Sequence, residues 1–163
     1  YVLTGDNYPH RIPVRNDEER LRVYNESGED GLRGYLGTPE EIDFERVNKE
    51  LSEFKAGKDI IEIKHMGRVD GDISYDETDF CGISVLILEW THGGSDYLSG
   101  VDIPVFLESS PEETKARRIK RGRDENAASP FICRVVELEQ EKLDLQRKNA
   151  RIVVGKDGKV YEQ

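Results

Sequence analysis

The sequence has 163 residues, a mass of 18.6 kDa and a formal net charge of −10, from 24 basic and 34 acidic side chains. This length suits one domain with its own core, and no apolar run approaches the roughly 20 residues of a membrane span. The acidic balance argues against a general nucleic-acid binder, which needs a basic surface. Cys81 and Cys133 lack metal-ligand spacing and are too few for a disulfide scaffold, so we expect reduced thiols and a cytoplasmic location.

Short apolar runs alternate with helical stretches, which predicts a single α/β domain over residues 1–163 with a mostly parallel sheet. Residues 84–90 are apolar without alternation, a pattern typical of a strand that is buried on both faces. Residues 26–37 contain four glycines and predict a mobile loop. The remaining strands are predicted at residues 1–4, 60–63, 103–107 and 151–154, with a hairpin turn at residues 157–158.

Capping residues predict where the helices begin. Asn16 can cap a helix over residues 16–24. Thr38 precedes a proline, and Glu41 would complete a capping box for the next helix. Ser110 and Ser129 also precede prolines and predict the starts of the last two helices.

Asp6 is a candidate catalytic base because it directly follows the first predicted strand. Ligands of open α/β sheets bind at the carboxyl ends of the strands, where an acid can orient or deprotonate a substrate hydroxyl. Such a base contributes roughly 10²–10⁴-fold to a rate. A turn or capping role is the alternative, and for Asp6 taken alone it is favoured.

Glu89 is a candidate magnesium ligand at the end of the apolar strand. An acid there costs desolvation unless it is paired or near a metal, and strand-end acids hold Mg²⁺ in phosphate-transfer sites. A strand that has simply reached solvent explains Glu89 equally well. His92 follows closely and could contact substrate, although a lone loop histidine is more often solvated.

A basic cluster interrupts the acidic chain at residues 117–123, and Gly122 breaks its helical pattern. Guanidinium groups in a mobile segment suit the clamping of phosphate. Neutralisation by Glu112 and Glu113 is the alternative. No phosphate loop of the form G-x-x-x-x-G-K-[ST] occurs in the sequence. The five cations of the cluster are Arg117, Arg118, Lys120, Arg121 and Arg123.

Taken in chain order, these segments resemble the uridine kinase and phosphoribulokinase family of P-loop kinases. Two departures bear on the acceptor rather than on phosphoryl transfer. Residues 64–67 replace the family's nucleoside-binding Tyr-Asp-Phe, and Trp90 stands where the family usually has glycine. The resemblance is carried by residues 6–8, 38–43, 55–58, 85–89, 101–107 and 117–124.

The resemblance implies a three-layer, Rossmann-like P-loop kinase fold whose first strand and phosphate loop are missing from this sequence, and we expect them to precede Tyr1. It implies transfer of phosphate from ATP, with Mg²⁺, to a hydroxyl of a nucleoside, sugar or other small metabolite. Asp6 would act as base, Glu89 would hold Mg²⁺ through water, and residues 117–134 would form a lid. The further assignments are Arg117, Arg121 and Arg123 to catalysis, Arg117, Arg118 and Arg121 to the nucleotide, and Tyr8, His10, Arg11 and His92 to the acceptor.

The main alternative is a truncated or non-catalytic kinase-like domain that binds a phosphorylated ligand or partner without transferring phosphate. Nucleic-acid binding through the arginine segment is the least favoured, since the net charge is acidic and no aromatic residues lie among the arginines. No membrane association is expected. The resemblance is compatible with a homo-oligomer.

Overall fold

The computed structural model describes residues 1–121 and 129–163, including the side chains of all of these except residues 111, 115, 118, 119 and 121. The chain divides into two compact units, Tyr1–Asp102 and Ile103–Gln163. The helices are α1 (Pro13–Tyr35), α2 (Phe44–Lys55), α3 (Pro111–Arg121) and α4 (Pro130–Gln146). The strands are β1 (Val2–Thr4), β2 (Ile60–Met66), β3 (Ile73–Asp79), β4 (Ile87–Glu89), β5 (Val105–Leu107), β6 (Ile152–Val154) and β7 (Val160–Glu162).

The first unit contains a parallel pair of strands and an antiparallel hairpin. Strands β1 and β4 run parallel with Thr4 opposite Glu89, so their carboxyl ends lie side by side. Strands β2 and β3 form the antiparallel hairpin, with Ile60 opposite Asp79. The register of the parallel pair therefore brings the segment after β1 and the end of β4 to the same edge.

The core of the first unit forms between α2 and its neighbouring strands. In α2, Phe44, Val47 and Leu51 follow helical spacing and are buried. In β2, Ile61 and Ile63 alternate with exposed residues and are also buried. Burying a side chain of this size contributes about 1.5–3 kcal/mol. The other buried members of the cluster are Leu3, Tyr8, Ile42 and Phe80.

The second unit confirms the two predicted helix starts and the predicted hairpin. Ser110 and Glu113 form a reciprocal capping box at the start of α3, with nitrogen-to-oxygen distances of 3.0 and 3.3 Å. The Ser129 hydroxyl accepts a hydrogen bond from the backbone N–H of Ile132 at the start of α4. Strand β6 pairs in parallel with β5 and antiparallel with β7, and the turn between β6 and β7 contains Gly158 with a φ of 76°.

The predicted loop at residues 26–37 is wrong, because α1 continues through it to Tyr35. Helical geometry is broken inside α1 only at Gly28, where φ is 66°. Leu32 and Tyr35 face inward and are buried, and the Glu29–Arg33 ion pair spans one helical turn. Burial on one face therefore outweighs the low helix propensity of Gly31 and Gly34, whereas the chain kinks at Gly28.

The predicted capping box at Thr38 and Glu41 is also wrong. Helix α2 begins at Phe44, and its N-cap is Asp43, whose carboxylate accepts from Arg46 N–H at 3.0 Å. Glu41 is buried instead and serves as a hydrogen-bond hub between α1 and the turn before α2. Its carboxylate accepts hydrogen bonds from Asn16 Nδ2 (2.9 Å), Arg20 Nε (2.6 Å) and Gly37 N (2.6 Å).

Asn16 is therefore not the N-cap of α1, which begins at Pro13. Its side chain is buried and bonds to a residue 25 positions away. A capping residue and a residue that satisfies a buried carboxylate are both short and polar, so the sequence pattern alone does not separate them.

The strand predicted at residues 84–90 is shorter and less buried than expected. Only Ile87–Glu89 forms strand, and Val85 and Ile87 are 64% and 55% exposed. Among residues 1–121 and 129–163, β1 is the one strand that pairs with β4. The two-sided burial that the apolar run predicts is therefore not found in the described part of the chain.

The sheet prediction is confirmed only in part. The strand pairs β1–β4 and β5–β6 are parallel, but the described strands form three small sheets. The hairpin of β2 and β3 was not predicted, because β3 carries the polar sequence of a solvent-exposed strand. The interpretation of residues 1–163 as a single domain stays a prediction. No helix within the described residues is long and apolar enough to cross a membrane.

In the Glu41→Gln variant, the free energy of unfolding should fall less steeply than in the wild type as the pH is lowered into the acid range. Burial by itself raises the pKa of the Glu41 carboxyl, but Arg20, Gly37 and Asn16 together hold this pKa below its ordinary value. A carboxyl with a lowered pKa stabilises the fold above its unfolded pKa of about 4.3, and this stabilisation is lost as the pH falls through the folded pKa. The wild-type advantage over the variant should therefore be largest near about pH 6 and shrink below about pH 4.

Urea unfolding at stepped pH measures this difference. The matched control is Glu40→Gln, at an exposed neighbouring position. A wild-type advantage over Glu41→Gln that stays constant down to about pH 3 would contradict the assigned role of Glu41.

Candidate active site

Asp6 lies at the carboxyl end of β1 in the short 3₁₀ turn Gly5–Asn7. Its side chain is exposed, whereas Gly5 and Asn7 on either side are buried. The Asp6 side chain makes no hydrogen bond or ion pair with any residue in the described ranges. We call residues 5–10 the Asp6 turn.

The backbone of the Asp6 turn is fixed from both sides. The side-chain oxygen of Asn7 accepts a hydrogen bond from Met66 N in β2 at 3.2 Å. The carbonyl oxygen of Tyr8 accepts from Asp43 N at 2.8 Å, and His10 N donates to Glu41 O at 3.0 Å. An exposed carboxylate is therefore presented from a backbone that is held by two other segments.

Buried side chains support the turn from below. The hydroxyl of Tyr8, whose side chain is fully buried, donates a short hydrogen bond to Glu50. The ammonium of Lys64 donates to Pro9 O at 3.0 Å and lies 3.4 Å from an Asp43 carboxylate oxygen. Because each donor has an acceptor, these polar groups can remain in the interior.

Charge and burial set the protonation of this network. Burial, reinforced by the hydrogen bond to Glu50, raises the pKa of the Tyr8 phenol, which therefore stays a donor. Burial lowers the pKa of the Lys64 ammonium, and the nearby Asp43 carboxylate opposes that shift. Arg46 Nε lies 2.6 Å from Glu50 and supplies the positive charge that the buried carboxylate needs.

Sequence reasoning missed this network. One available signal was the spacing of Arg46 and Glu50, which are four residues apart on α2 and are suited to pair with each other. A second was the unusual Lys64, which stands where the resembled family has part of its nucleoside-binding motif. Neither signal indicated that the charged groups would be buried.

Glu89 lies at the carboxyl end of β4, directly opposite Thr4. It is exposed, so its carboxylate is available to a ligand at the same edge as Asp6. Within the described residues no group of three His, Cys, Asp or Glu side chains forms a metal site. Mg²⁺ usually takes one or two carboxylates and completes its shell with water and substrate phosphates, so the carboxylate of Glu89 fits its chemistry.

Trp90 covers the start of the Asp6 turn. A Cβ atom built on Gly5 would lie 1.8 Å from Cγ of Trp90, so only glycine fits beneath the indole. The ring centroid of Trp90 is 5.9 Å from Tyr8, 5.5 Å from Phe44 and 5.5 Å from His92. This packing ties the end of β4 to the end of β1.

The residues assigned to the acceptor differ in exposure. Tyr8 and His92 are buried, and His92 packs so closely on Gly37 that a Cβ there would lie 3.0 Å from the ring. His10 is exposed, with Nε2 3.0 Å from the carbonyl oxygen of Pro39. The Arg11 side chain is 40% exposed and lies 3.5 Å from Glu19. Of the four, His10 and Arg11 have side chains within reach of solvent.

The arginine cluster is described only in part. Helix α3 carries Arg117, which is exposed, and its backbone includes Arg118 and Arg121. The side chains of Arg118 and Arg121, and the whole of Arg123, lie outside the described residues. The lid assigned to residues 117–134 therefore stays a prediction.

The fold is that of a P-loop kinase. The solved structure of phosphoribulokinase from Rhodobacter spheroides matches 94% of this chain and 59% of that enzyme, with a TM-score of 0.66 and 13% sequence identity. The α/β, P-loop-kinase-like class predicted from the sequence is thus confirmed. Whether a first strand and a phosphate loop precede Tyr1 stays a prediction.

A curated relative matches over the full length of the chain. All 163 residues align at 75% identity with part of the bifunctional alpha-galactosidase/sucrose kinase AgaSK from Mediterraneibacter gnavus. The chain spans 17% of the length of that relative. No model of a known protein family matches the sequence.

Tyr8→Phe should lower the free energy of unfolding by about 1–3 kcal/mol, because it leaves a buried carboxylate oxygen of Glu50 without its donor. Tyr75→Phe is the matched control at a position that is 49% exposed, and it should change the free energy by less than about 0.5 kcal/mol. Urea unfolding measures both. Equal stability of the Tyr8→Phe and Tyr75→Phe variants would show that the buried bond does not support the turn.

Gly5→Ala should lower the free energy of unfolding by about 1–3 kcal/mol, because the new methyl group overlaps the indole of Trp90. Gly34→Ala is the control, since nothing lies within 4 Å of its added methyl group in α1. That control should be neutral or up to about 1 kcal/mol more stable. Thermal unfolding and the tryptophan emission maximum measure both, and an unchanged emission in Gly5→Ala would contradict the contact.

Proposed function

We propose that this chain is part of a kinase that transfers phosphate from ATP, with Mg²⁺, to a hydroxyl group of a sugar. The observation that carries the proposal is the Asp6 turn, in which a firmly held backbone presents one exposed carboxylate beside the strand-end Glu89. The phosphoribulokinase fold and the sucrose kinase named in the relative support a sugar as the acceptor. The names of these two proteins give no support to a nucleoside acceptor.

Asp6 is the proposed base. Its carboxylate is free of protein partners among the described residues, so both oxygens can accept a hydrogen bond from the acceptor hydroxyl. Phosphoryl transfer depends mainly on positioning and charge stabilisation. The anchored turn contributes to the first requirement, because it fixes the backbone position from which the Asp6 carboxylate reaches the hydroxyl.

Glu89 is the proposed magnesium ligand, acting through a water molecule. When bound there, the metal would neutralise charge on the phosphate being transferred. Arg117, Arg118, Arg121 and Arg123 are proposed to contact the phosphates of the nucleotide. Guanidinium groups suit this role because their planar donors match phosphate oxygens.

His10 and Arg11 are proposed to contact the acceptor, with Tyr8 and His92 behind them. Arg11 shares its charge with Glu19, which lies 3.5 Å away, and its Nη1 lies 3.4 Å from the Tyr35 hydroxyl. A partly neutralised arginine and a histidine offer hydrogen-bond donors to an uncharged, hydroxyl-rich ligand. Both side chains can therefore donate hydrogen bonds to the hydroxyl groups of a sugar.

Asp6→Asn should lower kcat for sugar phosphorylation by roughly 10²–10⁴-fold and leave the Kd for nucleotide within about twofold. The experiment uses the intact protein with Mg-ATP and sucrose, follows ADP release, and identifies the product by phosphorus NMR. The control is Asp30→Asn, at an exposed position in α1, which should keep wild-type turnover.

Three results separate the alternatives. Equal losses of turnover and nucleotide binding in Asp6→Asn would contradict the assignment of the base. Phosphorylation of uridine rather than of any sugar would contradict the acceptor class. Binding of a phosphorylated sugar by the wild-type protein, without transfer from ATP, would favour the non-catalytic alternative.

A further inference from the structure

The indole of Trp90 packs on Gly5, directly beside the exposed Asp6. Trp90 follows Glu89 directly at the end of β4, and its ring covers Gly5, the residue before Asp6. The indole therefore lies against the backbone residue that precedes Asp6. A ligand whose hydroxyl binds Asp6 can therefore also contact this ring.

The ring is held in one orientation by its neighbours. Tyr8 and Phe44 lie against it at tilted angles of 53° and 44°, and His92 meets it nearly perpendicularly at 84°. Phe44, Tyr8 and His92 are buried, whereas Trp90 is partly exposed. Of these four rings Trp90 is the one with exposed surface, and its contact with Gly5 places it beside the Asp6 turn.

This surface has the chemistry that a sugar ring requires. A pyranose ring carries hydroxyl groups around its rim and C–H groups on its faces, so one face can pack on an aromatic ring while the rim binds polar groups. Binding sites commonly combine apolar, aromatic walls with a few placed polar groups. Here the wall is the indole, and the polar group beside it is the carboxylate of Asp6.

We infer that Trp90 is a specificity-determining residue. Its indole stacks against one face of the sugar ring whose hydroxyl group receives the phosphate. The inference rests on the proposed function, because it takes the acceptor to be a sugar. Rigid aromatic surface binds at low conformational cost, since the indole is already fixed by Gly5 and Phe44. The residue thereby selects a ligand with a flat apolar face next to the reacting hydroxyl.

The kinetic test compares Trp90→Leu and Trp90→Phe with the wild-type intact protein, with sucrose as the acceptor. Trp90→Leu should raise the KM for sucrose about tenfold, because it removes the aromatic face, and should leave the KM for ATP within about twofold. Trp90→Phe, which retains a smaller aromatic face, should raise the KM for sucrose less. Tyr97→Leu is the control, because Tyr97 is an exposed aromatic residue that packs on Phe44, as Trp90 also does. This variant should keep the wild-type KM for sucrose.

A binding test needs no turnover. Trp90 is the single tryptophan among the 163 residues, so its fluorescence can be isolated by subtracting the Trp90→Phe signal from the wild-type signal. Titration with sucrose in the absence of ATP should change this difference signal saturably. Galactitol, an open-chain polyol without a ring face, should produce no saturable change.

The outcomes distinguish this inference from the proposed function. If the wild type phosphorylates sucrose and Trp90→Leu keeps the wild-type KM for sucrose, stacking is wrong and the proposed function stands. If no sugar is phosphorylated but the difference signal still saturates with sucrose, stacking stands and the proposed function is wrong. Stacking on the sugar is also overturned if Trp90→Leu raises the KM for ATP alone, because the indole would then contact the nucleobase of ATP. It is overturned as well if both variants lose kcat and thermal stability together without a change in the KM for sucrose.

Discussion

The hydrogen bond from Tyr8 to the buried carboxylate of Glu50 is the constraint on which the rest of the site depends. A carboxylate in the interior must be paired, and Arg46 and the backbone N–H of Lys64 complete its partners. These groups come from α2, from β2 and from the segment after β1. Satisfying one buried charge therefore fixes three segments relative to one another, and Asp6 is carried on one of them.

Buried ion pairs of this kind contribute less to stability than their geometry suggests, because desolvation opposes the attraction between the charges. Their contribution here is that they fix the direction of the hydrogen bonds around the turn. Apolar residues of similar volume would fill the same space, but they would not fix the hydrogen-bonding groups of the turn at single positions. The same reasoning applies to Glu41, which joins α1 to the turn before α2. The unit thus uses its interior carboxylates to define backbone positions around the exposed one.

The sequence predicts the class of the fold and the edge at which the acids lie, because strand ends and capping residues are local signals. Ser110 and Ser129 cap their helices as expected, since the cap and its partner are three residues apart. The role of Glu41 depends on Asn16, which is 25 residues away, and no local pattern carries that information. Residues 26–37 mislead for a related reason, as the burial of Leu32 is decided by tertiary packing.

The edge of β4 that does not pair with β1 affects the tendency of this polypeptide to associate with itself. Val85, just before β4, and Ile87, within β4, are exposed, and among the described residues β4 pairs with β1 alone. Unpaired strand amides flanked by apolar side chains are a template for the addition of another strand. Preparations of these 163 residues by themselves should therefore associate with increasing concentration through β4, and a lysine in place of Val85 is the substitution that would keep them monomeric.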